Sequence, residues 1–294
     1  MRNRFGAALL PLAALLGCVP AIPPSVQPPA DPPPAPPAQP FTGEIVVDGA
    51  FEQGGWLRGR APAGTVRLTL GAAPVALTSD GRFFAGLDRD APAQLRLTAT
   101  SASSQMVTNS LPIAARDWQI ERVNVPLRGS VPSETFMAIR RPELAAIEAA
   151  RAVRSDSDGW AQRFIWPVTG RISGRFGSQR IYQGVPGSYH SGLDIATGTS
   201  GTPYVAPADG VVVLAAQKPF SLEGNLLIVD HGMGLNSAFL HSSRLFVKEG
   251  DRVRQGQQLG TIGATGRASG PHLHWSLKWQ DARLDPLLFL PPMP

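Results

Sequence analysis

The chain has 294 residues, 43% hydrophobic and 17% charged, with a formal net charge of +5 and a single cysteine. One cysteine excludes an internal disulfide and a cysteine-built metal centre, so the fold rests on its core alone or on a core plus a metal held by other ligands. No basic helix and no interleaving of Arg with aromatic residues occurs, which argues against nucleic acid as a partner.

Arg2 and Arg4 precede a short apolar run, Phe5 to Gly17. A bilayer span takes roughly 20 residues, so residues 1–17 are expected to be an export signal rather than a membrane helix. The run ends in "LLGC", which resembles a bacterial lipobox. That likeness implies cleavage before Cys18 and a lipid on its thiol. Residues 18–40 then read as a lipidated Cys and a Pro-rich linker. Proline fixes φ and has no amide donor, so runs such as "PPADPPPAPPAQP" build a semi-rigid spacer rising about 3.1 Å per residue.

Residues 41–130 read as short strands. Val66, Leu68 and Leu70 alternate with polar residues, as do Leu95 and Leu97, the period-2 pattern of half-buried strands. Asp80-Gly81 between "PVALT" and "RFF" is a hairpin signal, and "WQIERVNV" at 118–125 reads as a closing strand. The expectation is a β-sandwich-like module without catalytic clusters, a spacer or docking unit. Residues 131–160 are expected to form a helical connector, with Pro142 in the first turn of "ELAAIEAARAVR", Arg151 and Arg154 near its C-terminus, and "SDSDG" ending it. Residues 41–159 carry 13 basic and 13 acidic side chains and residues 160–294 carry 12 and 8, so the positive excess of the mature chain lies in the C-terminal part.

Residues 161–294 change texture to short apolar runs broken by glycine, such as "YVAPADGVVVLAA", "NLLIVDHG" and "QQLGTIGATG". The class is all-β and antiparallel. The chemistry concentrates in the histidines, of which the chain has five. Read as a strand, "PHLHWSLKW" puts His272, His274, Ser276 and Lys278 on one face and Leu273, Trp275, Leu277 and Trp279 on the other. Alone, the pair reads as well as two surface histidines on an edge strand. "YHSGLDIATG" adds His190 and Asp194, with Gly192 between them arguing against a helix, and "NSAFLHSS" adds His241 at a strand end. Two of these histidines with one Asp would make a three-ligand zinc set with a fourth position open, the layout of a catalytic rather than a structural site. The surplus histidines suit acid–base duty.

In this order, "HSGLD", "FLH" and "HLH" resemble the lysostaphin-type (LytM-like) zinc metallopeptidases of bacterial cell walls. The flanking stretches "GRFGSQR", "GTPYVAPADGVV", "VKEGDRVRQGQQLG", "GATGRASG" and "LDPLLFL" agree, so the resemblance covers about residues 164–290. It implies an antiparallel β fold of barrel-sandwich (LytM) type and one Zn2+ per chain on His190, Asp194 and His274. It also implies that His272 acts as general base on the metal-bound water, and that His241 orients this water or stabilises the oxyanion. His231, in "VDHG", matches a structural turn. The implied activity is a zinc endopeptidase acting on peptidoglycan stem-peptide cross-links, D-Ala to diaminopimelate in a Gram-negative envelope, from a periplasmic, lipid-anchored position. Val19 after the Cys favours the outer membrane.

The other expectation is a non-catalytic module that activates a separate hydrolase, and the complete ligand set weighs against it. A biotinyl or lipoyl carrier is a third possibility, but such carriers need a Lys at a hairpin tip, and "PADGVV" has none. Phe239 stands where many members have Tyr, and Ser276 where Glu is common. These departures bear on preference and rate, not on ligands. Tyr182 and Tyr189 are both candidates to supply a phenol.

Overall fold

The computed structural model describes residues 40–127, 133–216 and 218–294. The expected export signal, Cys18 and most of the Pro-rich linker lie outside the described residues.

The N-terminal strands are β1 (Val46–Gly49), β2 (Trp56–Arg60), β3 (Thr65–Leu70), β4 (Ala73–Val75), β5 (Arg82–Gly86), β6 (Gln94–Ser101), β7 (Met106–Pro112) and β8 (Ile120–Val123). Seven of them form two antiparallel sheets, β1-β2-β5 and β4-β3-β6-β7. Leu68, Leu70 and Leu97 point into the shared interior, as their alternation predicts, while Val66 faces solvent. Asp80-Gly81 is a turn, with Gly81 donating to the Thr78 carbonyl. It joins β4 to β5, which belong to different sheets, so it does not close a hairpin ladder.

The helix, α1 (Glu134–Ala152), starts earlier than the sequence pattern predicts. Ser133 caps it by accepting from the Phe136 amide at 3.1 Å, and Pro142 sits in its interior rather than its first turn. One lost amide donor is the cost of that position. Arg154 donates to the Arg151 and Val153 carbonyls at 2.7 and 2.9 Å, satisfying orphan acceptors at the helix end.

The C-terminal strands are β9 (Arg171–Gly174), β10 (Gln179–Tyr182), β11 (Val185–Pro186), β12 (Leu193–Ala196), β13 (Pro203–Val205), β14 (Gly210–Ala215), β15 (Asn225–Asp230) and β16 (Leu235–Ser242). They continue as β17 (Arg244–Leu245), β18 (Arg252–Val253), β19 (Gln258–Thr261), β20 (Leu273–Trp279) and β21 (Ala282–Leu284). The large sheet runs β18-β14-β15-β16-β20-β12-β9, with β21 paired to β20, and stays open rather than closing into a barrel. The fold is therefore all-β with one substantial helix among the described residues.

One face of the large sheet is wholly apolar where Leu273, Trp275, Leu277 and Trp279 project from β20. It does not make a core of its own. Trp275 packs with Phe164, which packs with Phe289, which in turn meets Phe84 of β5. Trp56 of β2 packs its ring at a tilt against Phe289 and donates its indole N–H to the Leu288 carbonyl at 2.9 Å. The N-terminal sandwich thus shares a hydrophobic interior with the large sheet. β8 reinforces the junction: instead of closing the sandwich it pairs in parallel with β10. The other face of the large sheet carries Leu226, Ile228 and Ala238, and α1 covers it with Ile147 and Ala150.

Candidate metal centre

Strand register builds the site. Asp194 of β12 and Leu240 of β16 both lie opposite His274 of β20. His274 and Asp194 are direct Cα partners on one sheet face, and His274 Nδ1 reaches Asp194 Oδ1 at 2.8 Å. His190, in the loop before β12, brings Nε2 to 3.0 Å from the same oxygen and 3.1 Å from His274 Nδ1. His272 Nε2 stands 3.7 Å from Asp194 Oδ1. His241 completes the group, its ring 5.0 Å from that of His272 and 6.3 Å from that of His274. All five residues singled out by spacing therefore meet at one place.

Backbone carbonyls set the tautomers. A carbonyl only accepts, so a ring nitrogen facing one carries the proton. His190 Nδ1 donates to the Arg175 carbonyl at 3.1 Å, His272 Nδ1 to that of Gly270 at 2.9 Å, and His241 Nδ1 to that of Thr265 at 2.8 Å. In the neutral rings each Nε2 is left as a bare lone pair. His241 also has a left-handed backbone, φ 63°. Such a conformation costs a non-glycine residue about 1–3 kcal/mol and persists only when its surroundings enforce it. Its amide is held by the Glu223 carbonyl at 2.8 Å.

These atoms fit a cation. A bare His190 Nε2 and a carboxylate oxygen at 3.0 Å repel unless a proton or metal lies between them. The ligand atoms of His190, Asp194 and His274 all lie within 4.8 Å of one another, close enough to hold one metal ion. Tetrahedral zinc with bonds of about 2.0–2.1 Å spaces its ligand atoms about 3.3 Å apart, close to the observed 2.8–3.1 Å. Electrostatics agree. Burial alone would raise the Asp194 pKa, but hydrogen bonds from His190 and His274 outweigh it and hold the carboxyl well below its usual range. Burial pulls His190 down, yet its bond to Asp194 leaves it raised. Burial lowers both His274 and His241.

Other residues support the cluster without being visible in its spacing. A Cβ at Gly174 would overlap the Asp194 carboxylate, so glycine makes room there. It falls in the "GRFGSQR" stretch, which is the one signal that marks it. Arg89, from the N-terminal sandwich, is 7% exposed and donates through Nε and Nη2 to the Gly177 carbonyl at 3.2 and 3.1 Å. The Gly177 amide in turn holds the His190 carbonyl at 2.8 Å. The Arg89 guanidinium lies against the rings of Trp118 and Tyr189, at 5.1 and 4.6 Å. No local pattern marks Arg89, because its partner is 88 residues away. Tyr189 thus serves as a platform between Arg89 and Arg283, and burial raises its phenol pKa. A groove of about 780 Å³ leads from the cluster, lined by Tyr182, Tyr189, Arg175 and Arg267, with Gln119 and Glu121 contributed from the stretch around β8. His231 lies apart, fully buried, between the Asp209 carbonyl and the Ser237 hydroxyl, each at 2.7 Å.

Comparison with known proteins places residues 188–286 in peptidase family M23. Over 117 residues the chain is 38% identical to the peptidoglycan DD-endopeptidase ShyA of Vibrio cholerae, covering 40% of this chain and 26% of ShyA. Over 126 residues it is 34% identical to the murein hydrolase activator NlpD of Salmonella dublin, covering 43% of this chain and 31% of NlpD. The chain therefore spans about a quarter to a third of the length of these relatives. A crystal structure of a putative peptidase M23 from Pseudomonas aeruginosa matches with a TM-score of 0.61 at 29% identity, over 81% of this chain and 94% of that one. That likeness reaches well beyond the C-terminal half.

Proposed function

From the premise that this chain carries a peptidase family M23 domain of LytM type, we propose that it is a zinc metalloendopeptidase that hydrolyses the peptide cross-links of peptidoglycan. The observation that carries this reading is the convergence of His190 Nε2, His274 Nδ1 and a single Asp194 oxygen, with two further histidines alongside.

His190, Asp194 and His274 would hold the ion. Zinc there would supply Lewis-acid polarisation of the scissile carbonyl and a more acidic water. The chain's own residues handle the protons. His272, with Nδ1–H tied to Gly270, presents Nε2 as the base that takes the proton of the attacking water and returns it to the leaving amine. His241 is held neutral by burial, with Nδ1–H tied to Thr265. Its Nε2 therefore accepts a hydrogen bond, which suits orienting the water. Oxyanion stabilisation would need its protonated form.

The NlpD likeness supports a second reading, a non-catalytic activator of another hydrolase. An activator has no need of the complete His–Asp–His set. The test is digestion of purified cross-linked muropeptides by the zinc-loaded full chain, read by mass. Cleavage of the cross-link is expected, and intact muropeptides with a zinc-loaded protein would favour the activator. The lipobox resemblance supports a position in the cell envelope, with a lipid anchor on Cys18.

A further inference from the structure

A second feature adjoins the cluster, between α1 and the sheet, and reaches Ser191 next to His190. A cavity of about 240 Å³ lies between α1 and the open face of the large sheet, and its lining includes Arg151, Lys278, Arg283, Ser276, Ser191 and His274. Its charge is unbalanced. Arg140, also in the lining, is shared between Glu223, at 2.6 Å through both nitrogens, and Glu143, at 2.9 Å, and Glu223 offsets only part of the Arg151 charge, so the three cations Arg151, Lys278 and Arg283 still outnumber the one remaining negative charge. Lys278 reaches only the fully exposed Asp281, at 3.3 Å.

Three observations point to a missing anion. Lys278 and Arg283 are direct cross-strand partners of β20 and β21, and like charges placed opposite one another are destabilising. Arg151 has its Nε buried without a hydrogen-bond partner, and an orphaned buried donor on a charged group is costly. Burial and the neighbouring Arg283 together push the Arg151 guanidinium below its ordinary pKa. A carboxylate seated among these side chains would satisfy the free Nε and screen the three cations from one another.

We propose that Arg151, Lys278 and Arg283 form a carboxylate-binding subsite beside His274, which seats a free carboxylate of the peptide being cleaved. The subsite rests on the peptidase reading above and narrows it to acidic peptides, those with an unamidated carboxyl near the scissile bond. It lies partly on α1, outside the stretch matched by the family, so it is a feature of this chain's own architecture. The guanidinium supplies a planar fork matched to carboxylate geometry.

The test compares cross-linked muropeptides carrying free carboxylates with their amidated counterparts, on the zinc-loaded full chain. Affinity is read by calorimetry on His272→Ala, which by the proposed roles binds the peptide without turning it over. The free acid should bind about tenfold to a hundredfold more tightly than the amide, the range expected for hydrogen bonds to charged groups. Adding Arg151→Gln or Arg283→Gln should bring that ratio towards one, and Arg151→Lys, which keeps the charge, should retain most of it. Equal binding of acid and amide, or a ratio that survives both Gln variants, overturns the subsite. Cleavage without charge selectivity overturns the subsite alone. Charge-selective binding with no cleavage by the wild-type protein overturns the peptidase reading and leaves the subsite standing.

Discussion

Asp194 and His274 are Cα partners across two antiparallel strands, and their side chains meet at 2.8 Å. The pairing fixes two of the three converging groups by sheet register, while His190 comes from the loop before β12. By the proposed ligand set, Asp194→Ala removes the only anionic ligand, so zinc content and activity should fall together, and His274→Ala should do the same. On the same proposal His272→Ala leaves the three ligands in place. It should retain near-stoichiometric zinc yet lose about 10²–10⁴-fold in rate, the usual worth of general-base help. Metal analysis of the purified variants checks this. Zinc lost from His272→Ala but kept by His274→Ala would exchange the two roles.

The link between Arg89 and the His190 loop makes a second expectation. Arg89→Ala leaves the Gly177 carbonyl without its two buried donors, a loss of about 1–3 kcal/mol. Because the Gly177 amide holds His190, chelator competition should show weaker zinc binding as well as a lower Tm. Gly177→Ala should be worse, since Gly177 has φ 80° and a Cβ there would overlap the Trp118 ring. Wild-type zinc affinity in both variants would disconnect the N-terminal sandwich from the metal centre.

Acid should weaken the fold through His231. Burial lowers its pKa in the folded state, against an ordinary value near 6.5 when unfolded. The unfolded chain therefore binds the proton more readily. The stability contributed by neutral His231 is fully present above about pH 6.5 and is lost as the pH falls towards the lower folded value. Thermal melts from pH 7.5 to 5 should show a smaller acid decline in His231→Gln than in wild type. Parallel profiles would show that His231 does not contribute.

The C-terminal half alone should fail. Residues 160–294 would expose Trp56's partner Phe289, Phe84's partner Phe289 and the apolar face of β20, a patch of the kind that drives aggregation. Expression of this fragment should give insoluble or oligomeric protein. A soluble, zinc-loaded monomer would contradict the shared core.

Membrane attachment is expected through Cys18. Cys18→Ser should release the protein from the membrane fraction or block its maturation. A Ser variant retained there at mature size would rule the lipid anchor out.

The site and the fold were legible to different degrees. His190, Asp194, His241, His272 and His274 could be picked out because metal and proton chemistry restricts residue type, and because a strand's two-residue period puts His272 and His274 on one face. The alternation of β3, β6 and β20 was equally readable. The pattern of β8 shows a strand but not its partner, which is β10 rather than the sandwich. The start of α1 is hidden in the sequence because Pro142 resembles a first-turn proline, while the Ser133 cap and the Arg140–Glu223 pair stabilise a longer helix. Arg89 and Arg151 were invisible because their importance comes from contacts distant in sequence.

The Phe84–Phe289 contact has a further consequence for how the molecule is made. Translation delivers Phe84 some 200 residues before the partner that covers it, so the sandwich must wait with an open apolar face while the rest of the chain is synthesised. The packing thereby makes the fit of the early strands depend on a ring made late: until Phe289 is in place, neither Trp56 nor Phe84 has that partner.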